Sequence, residues 1–201
     1  MSDAPRPPAE FDFPLSWSGP DGIGASPFDE FDEQQAPDVS DVQGDDPAVA
    51  LRKTLGMFTT GVTVITTLKG EQVHGMTANA FMSVSLEPPL VLISVDRRTK
   101  MCGMLHEGNR YGVSVLCETQ SALSDRFAGR PCDDCPAPRF DLVHDAPLVD
   151  GALAHFVARV ERSYWGGDHS LFLGRVEYAR HHPGTPLLFH GGRYERLGQG
   201  G

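Results

Sequence analysis

Between Phe81 and Lys100 the hydrophobic rhythm of the chain changes twice. Phe81 to Leu86 alternates apolar with polar or small residues, the period of a half-buried strand, and Glu87-Pro88-Pro89 ends it. Leu90 to Val95 is almost wholly apolar, as in a strand covered on both faces, and it runs straight into Asp96-Arg97-Arg98-Thr99-Lys100. Upstream, Asp46 is an N-cap candidate with Pro47 in the first helical position. Leu51, Leu55 and Phe58 share one face of this helix, which is predicted to stop near Gly61. Val62 to Thr67 reads as a β-branched strand, and Lys69-Gly70-Glu71 turns it into a short return strand ending at His74.

Downstream, the pattern predicts a short helix over Met101 to Glu107 and a strand over Tyr111 to Cys117. A second helix, Thr119 to Ala128, is stopped by Gly129 at the position after its cap. Residues 129–150 carry no period and read as an irregular connection. Leu153 to Tyr164 alternates, with Phe156, Ala158 and Val160 on one side against His155, Arg159 and Glu161 on the other. Gly166-Gly167-Asp168-His169 makes a tight connection to its hairpin partner, Ser170 to Tyr178. Pro186 to His190 is a last short strand before the Gly191-Gly192 turn and Arg193-Tyr194.

Six to eight strands joined mostly by short turns, with three modest helices, predict a mainly β protein with short α elements, folded as an antiparallel barrel. No βαβ alternation and no GxGxxG appear, so a Rossmann domain is not expected. A chain of 201 residues, 40% of them hydrophobic, has material for one domain, placed here at 47–198.

Charge divides the chain. Residues 1–46 hold twelve Asp or Glu and one Arg, while the rest is nearly neutral. The first segment is rich in Pro and Gly without a sustained period, so a disordered acidic tail is expected. Its aromatic clusters, Phe11 and Phe13 with Trp17 and then Phe28 with Phe31, leave a docking role open. Without a broad basic face, no nucleic-acid partner is expected. No apolar run approaches a membrane span, and the start of the chain lacks the pattern of a signal peptide, so a cytoplasmic protein without a membrane partner is expected. Of the four cysteines, Cys117 reads as a small core residue. Cys132 and Cys135 lack the second half of a zinc site and read as an exposed loop pair, with a disulfide left open and no metal expected.

Two stretches offer chemistry. Thr77-Ala78-Asn79-Ala80, next to Gly75, has short side chains, so another molecule can approach its backbone closely. At the end of the apolar strand, Thr99 stands among Arg97, Arg98 and Lys100 at the expected start of a helix, the chemistry a phosphate needs.

The motif GMTAN-x-F-x-SVSL-x-PPL over Gly75 to Leu90, with Thr60-Gly61-Val62-Thr63 upstream and GGDHSLFLGRV over Gly166 to Val176, resembles the short-chain flavin reductases. These are the NAD(P)H-dependent partners of two-component flavin monooxygenases, and the resemblance runs from about Val49 to Leu197. It implies the FMN-binding split β-barrel and a homodimer with its flavin site near the subunit interface. It also implies reduction of FMN or FAD by NADH or NADPH, and a flavin-dependent monooxygenase as partner. The flavin would be held by Thr77, Ala78, Asn79, Ala80, Ser83, Ser94, Val95, Asp96, Arg98, Thr99, Lys100, Gly167, Asp168 and Tyr194. Arg126 and Phe127 match a pair lying near the flavin in the family, or are an ordinary last-turn cation and core aromatic. Ala80 departs from the serine common in the family. His169, in the Gly167-Asp168-His169 motif, would position the nicotinamide, since direct hydride transfer needs no general base. A flavoprotein that retains its flavin, or a non-catalytic flavin-binding or scaffold protein, remains the alternative.

Overall fold

A computed structural model describes residues 46–130 and 137–198. Residues 1–45 of the expected tail over 1–46 and the Cys132/Cys135 pair lie outside the described residues. In chain order the elements are α1 (Pro47–Leu55), β1 (Thr60–Gly61), β2 (Thr63–Lys69), β3 (Gln72–Ala78), β4 (Phe81–Leu86), β5 (Pro89–Asp96) and β6 (Arg110–Val115). They continue with α2 (Ser121–Phe127), β7 (Phe140–Val143), β8 (Ala146–Val149), β9 (Ala154–Gly166), β10 (His169–His181), β11 (Leu188–His190) and β12 (Arg193–Glu195).

Seven strands form one antiparallel sheet in the order β3-β2-β6-β9-β10-β5-β4. Every strand of it sends a side chain to a single apolar cluster. Ile65, Ile93, Val95, Tyr111, Val113, Ala158, Val160 and Phe172 are buried there, with Met76, Ala78 and Phe81 packed against them. One cluster shared by all seven strands requires the sheet to curl around it. The lips of the curled sheet are β3 and β4, joined through the Asn79-Ala80 corner, so the barrel is split along that seam. A smaller sheet, β1-β11-β12, and α2 cover a second cluster around Val64, Leu116, Val149 and Leu187.

Several expectations change. Asp46 does cap α1, accepting from the N–H groups of Ala48 and Val49, but the helix ends at Leu55 rather than near Gly61. Its expected apolar face does not pack on the described residues: only Ala50 is buried, and Phe58 is 78% exposed. The return strand β3 runs past His74, so Thr77 and Ala78 are strand residues opposite Val64 and Thr63. In β5 burial alternates; Val91, Ile93 and Val95 enter the core while Leu90, Leu92 and Ser94 stay half-buried, because only the inner face meets the barrel interior.

The predicted helix over 101–107 is a single 3-10 turn, Cys102–Met104, because Leu105 takes an extended conformation and with Met101 drops into the core. The supposedly irregular 129–150 contains the hairpin β7–β8, turned by His144 and Asp145 at φ 48° and 62°. Its strands close over β2 and β6, where Thr66 Oγ1 donates to the Pro147 carbonyl and Gly112 leaves no room for a side chain beneath it. With these pieces, twelve strands are described where six to eight were expected. Cys117 leaves the sheet instead of joining its core: it is half-buried, and its N–H is held by the Gln120 side chain at 3.0 Å. His155, expected on an outer face, is buried with Nε2 2.7 Å from the Val149 carbonyl.

Candidate functional site

At the seam, each residue of the Thr77 to Ala80 corner is fixed by a specific bond. Thr77 Oγ1 donates to the Ser124 carbonyl at 2.6 Å, tying β3 to α2. The Ala78 carbonyl accepts from Thr63 Oγ1 at 2.6 Å. Asn79 and Ala80 turn the chain, their carbonyls accepting from the N–H groups of Phe81 and Ser94. Gly75 serves a different purpose from the close approach expected of it. A Cβ there would meet the Phe127 ring at 2.5 Å, so the space above this glycine belongs to α2 rather than to a ligand.

The second part is the turn after β5. Asp96 accepts from the Arg98 N–H at 2.8 Å and from the Arg98 guanidinium at 3.1 and 2.6 Å. These hydrogen bonds hold the Asp96 carboxyl far below the usual carboxylate range. Thr99 Oγ1 donates to the Asp96 carbonyl at 2.7 Å and accepts from the Cys102 N–H at 3.3 Å. Since only a 3-10 turn follows, the helix start expected to assist an anion is not built here. Arg97 lies over the Trp165 ring, 5.9 Å from its centroid, and Lys100 is exposed.

The third part is the β9–β10 turn, made tight by Gly167 at φ 69°. His169, first residue of β10, pairs across the ladder with Asp96, the last of β5. The Arg97 N–H donates to the Asp168 carbonyl at 3.0 Å, locking the two turns together. His169 Nδ1 lies 2.7 Å from Asp168 Oδ1, and that contact lowers the Asp168 carboxyl pKa.

Two depressions lie side by side against the first two of these parts. One, of about 440 Å³, is lined by His74, Met76, Thr77, Thr99, Lys100 and Phe127. The other, of about 170 Å³, is lined by Thr77, Ala78, Asn79, Ser124, Arg130 and Tyr194. Thr77 and Ala128 line both. Tyr194 OH lies 2.9 Å from Ser124 Oγ and donates to Asp125 Oδ1 at 2.8 Å, and burial is the largest cause raising its pKa. Phe127 thus belongs to the same wall as Thr77, whereas Arg126 lines a separate cavity beside Arg139. Ser83 is exposed on the edge strand β4, Ser94 is half-buried opposite Leu171, and Val95 is buried in the core, leaving its backbone in the ladder with Ser170. A depression of about 620 Å³ around His155 and Tyr178 includes none of the predicted site residues.

Sequence reasoning did not single out His74, Ser124, Asp125 or Arg130. Ser124 and Asp125 directly precede the Arg126-Phe127 pair, and Ser124 is buried mid-helix, an uncommon place for a serine without a carbonyl or hydroxyl to serve.

By fold and site this is an antiparallel split barrel with two locked turns and a cation-bearing depression at its seam. The family model for the flavin reductase like domain matches residues 55–198. The chain is 45% identical over 158 residues to an NADH-dependent flavin reductase of a Rhodococcus species, covering 76% of this chain and 89% of the relative. It is 40% identical over 149 residues to the reductase component of 4-hydroxyphenylacetate 3-monooxygenase of Thermus thermophilus, covering 74% of this chain and 95% of that one. The solved flavin reductase PheA2 superposes with a TM-score of 0.73 at 40% identity, covering 78% of this chain and all of that structure. The chain belongs to the flavin reductase family.

A flavin fits the residues present. Lys100 offers charge for a phosphate, with Thr99 beside it, Met76 and Phe127 an apolar wall for a ring, and Asn79 polar groups for a ring edge. The combined space is of the size ligand pockets take.

Proposed function

We propose that the protein is an NAD(P)H:flavin oxidoreductase that reduces FMN or FAD and passes the reduced flavin to a separate flavin-dependent monooxygenase. The locking of the Asp96–Lys100 turn to the Gly167–His169 turn, beside the depression under Thr77, supports this reading, because the residues assigned to the phosphate and to the nicotinamide nucleotide then share one rigid end of the barrel. NADH is the favoured donor, as the Rhodococcus relative is named for it. The Thermus thermophilus relative, named as a monooxygenase component, supports the partner class.

Bound flavin supplies the two-electron chemistry, so the residues of the chain have to bind and orient rather than transfer protons. Lys100 would hold the phosphate, and Thr99 and Arg98 would join it only by giving up their bonds to the Asp96 carbonyl and carboxylate. Thr77 to Ala80, with Tyr194 behind them, present hydrogen-bonding groups to the ring edge. Phe127 and Met76 exclude water from one ring face. Asp168 holds His169 by Nδ1, leaving Nε2 to meet the nicotinamide nucleotide.

The same proposal includes a homodimer, supported by the apolar side chains that edge strand β4 leaves exposed, Met82, Val84 and Leu86. Among the described residues no helix is long and apolar enough to cross a membrane. A cytoplasmic placement follows from the proposed nicotinamide substrate, which is held inside cells. The reductase unit is assigned to residues 47–198, apart from the acidic segment 1–46.

The test is NAD(P)H oxidation with FMN, FAD and riboflavin in turn, followed by gel filtration of protein with flavin. Turnover that rises with added free flavin is the expected result. Flavin that stays bound through filtration, with oxidation independent of added flavin, would make it a flavin-retaining protein instead.

A further inference from the structure

His74 stands on β3 three residues before Thr77, and the motif match assigns it nothing. Its half-buried side chain lines the depression that also holds Lys100, Thr99 and Thr77. The turn across from it has committed most of its donors. Arg98 is engaged by Asp96 through its N–H and its guanidinium, Thr99 Oγ1 donates to the Asp96 carbonyl, and Arg97 lies over Trp165. That leaves Lys100 as the cation of the turn facing the depression. One ammonium is a small provision for a phosphate monoester carrying up to two charges.

We propose that His74 is a second arm of the flavin-phosphate site, facing Lys100 so that an imidazole and an ammonium hold the phosphate between them. The proposal rests on the depression under Thr77 being the flavin site. The charges His74 feels come from Lys100, in the turn after β5, and Lys69, at the end of β2. Burial first, and then these two ammonium groups, hold its pKa below the ordinary value, so the imidazole is neutral in the free protein at neutral pH. A phosphate placed between His74 and Lys100 reverses the sign of the local field and favours the imidazolium. Binding of a phosphate-bearing flavin therefore draws a proton from solvent onto His74, and by reciprocity lower pH strengthens that binding. Riboflavin has no phosphate and draws none.

FMN and riboflavin titrations of the full chain at pH 6, 7 and 8, comparing wild type with His74→Gln, His74→Lys and Lys100→Gln, test this, with thermal melts to confirm folding. His74→Gln is expected to weaken FMN about tenfold at pH 6 and about two- to threefold at pH 8, the loss of a charge-assisted contact, and to leave riboflavin unchanged. The variant-to-wild-type ratio cancels the titration of the FMN phosphate itself. His74→Lys should restore FMN affinity across the whole range. An FMN affinity of His74→Gln equal to wild type at every pH, or an equal weakening of riboflavin, overturns the inference. If Lys100→Gln weakens FMN while His74→Gln does not, the inference alone falls. If Lys100→Gln also binds FMN as wild type does, the phosphate lies elsewhere and the proposed site falls with it.

Discussion

His169 is held by a single short contact to Asp168, at the first residue of β10, and both side chains reach solvent. A group so placed can orient a nicotinamide without bearing on the fold. His169→Ala is therefore expected to bind flavin normally and to lose roughly ten- to a hundredfold in kcat/KM for NADH, about 1.4 to 2.7 kcal/mol of transition-state contact. Stopped-flow reduction of pre-bound flavin isolates the step; wild-type rates would reduce His169 to a turn residue. Tyr111 is the opposite case, a residue whose polar atom serves nothing visible. Its ring fills the barrel beside Gly174, and its hydroxyl is buried with no hydrogen-bond partner among the described residues. Burial alone pushes its pKa well above the tyrosine range. Tyr111→Phe removes an unpaired polar group from the core, so a stability equal to wild type or higher by about 1 kcal/mol is expected in denaturant unfolding. A loss of 2 kcal/mol or more would mean the hydroxyl has a partner.

At the scale of elements, α2 and β3 meet through a vacancy. Because the Phe127 ring occupies the space over Gly75, Gly75→Ala forces that ring away and should cost about 1 to 3 kcal/mol. Trimming the ring in Gly75→Ala/Phe127→Leu should return part of the loss, and a double variant no better than the single would deny the contact. The ion pair Arg175–Glu161 joins β10 to β9 at 2.6 Å. The Arg175 hydrogen bond is the largest cause lowering the Glu161 pKa from 4.5. A depressed carboxylate adds stability above its unfolded pKa and loses it as pH falls through the folded value. Arg175→Gln should therefore be less stable than wild type at neutral pH and converge with it in acid, once Glu161 is protonated in both. Both side chains are partly exposed, so the gap is small, and urea midpoints followed from neutral pH into acid resolve its shape.

For the whole molecule, the split barrel leaves β4 as an edge with Met82, Val84 and Leu86 outward, and Leu86 is 90% exposed. Edges of this kind are covered, paired or charged in soluble proteins. Val84→Glu/Leu86→Glu is expected to move the protein from dimer to monomer in light scattering. A variant that stays dimeric would move the interface elsewhere, and a wild type that is already monomeric would remove the homodimer.

Local pattern was enough for the parts of this protein that depend on neighbours in sequence. Period-two runs marked β4 and β9, Asp46-Pro47 marked the start of α1, and Gly70 and Gly167 marked tight turns, the second giving β10 as the partner of β9, since each depends on its own φ/ψ and side-chain alternation. The motif over Gly75 to Leu90 placed the chain in its family, because the corner it encodes is a local shape. Tertiary structure decided what depends on partners far along the chain. The β7–β8 hairpin was hidden because its turn uses His144-Asp145, not the usual Asn-Gly, and its strands are anchored by Thr66, some 80 residues earlier. The helix after Lys100 gave way to a 3-10 turn because burying Met101 and Leu105 in one core won over the helical pattern. Gly75 looked like an opening for a ligand and is a socket for Phe127. Arg98 looked like a free cation and is held by Asp96, while His74, silent in the sequence, shares a depression with Lys100 only because the barrel brings the turn after β5 over β3. Spacing along a chain reports the backbone; which side chains share a cavity depends on how the sheet closes.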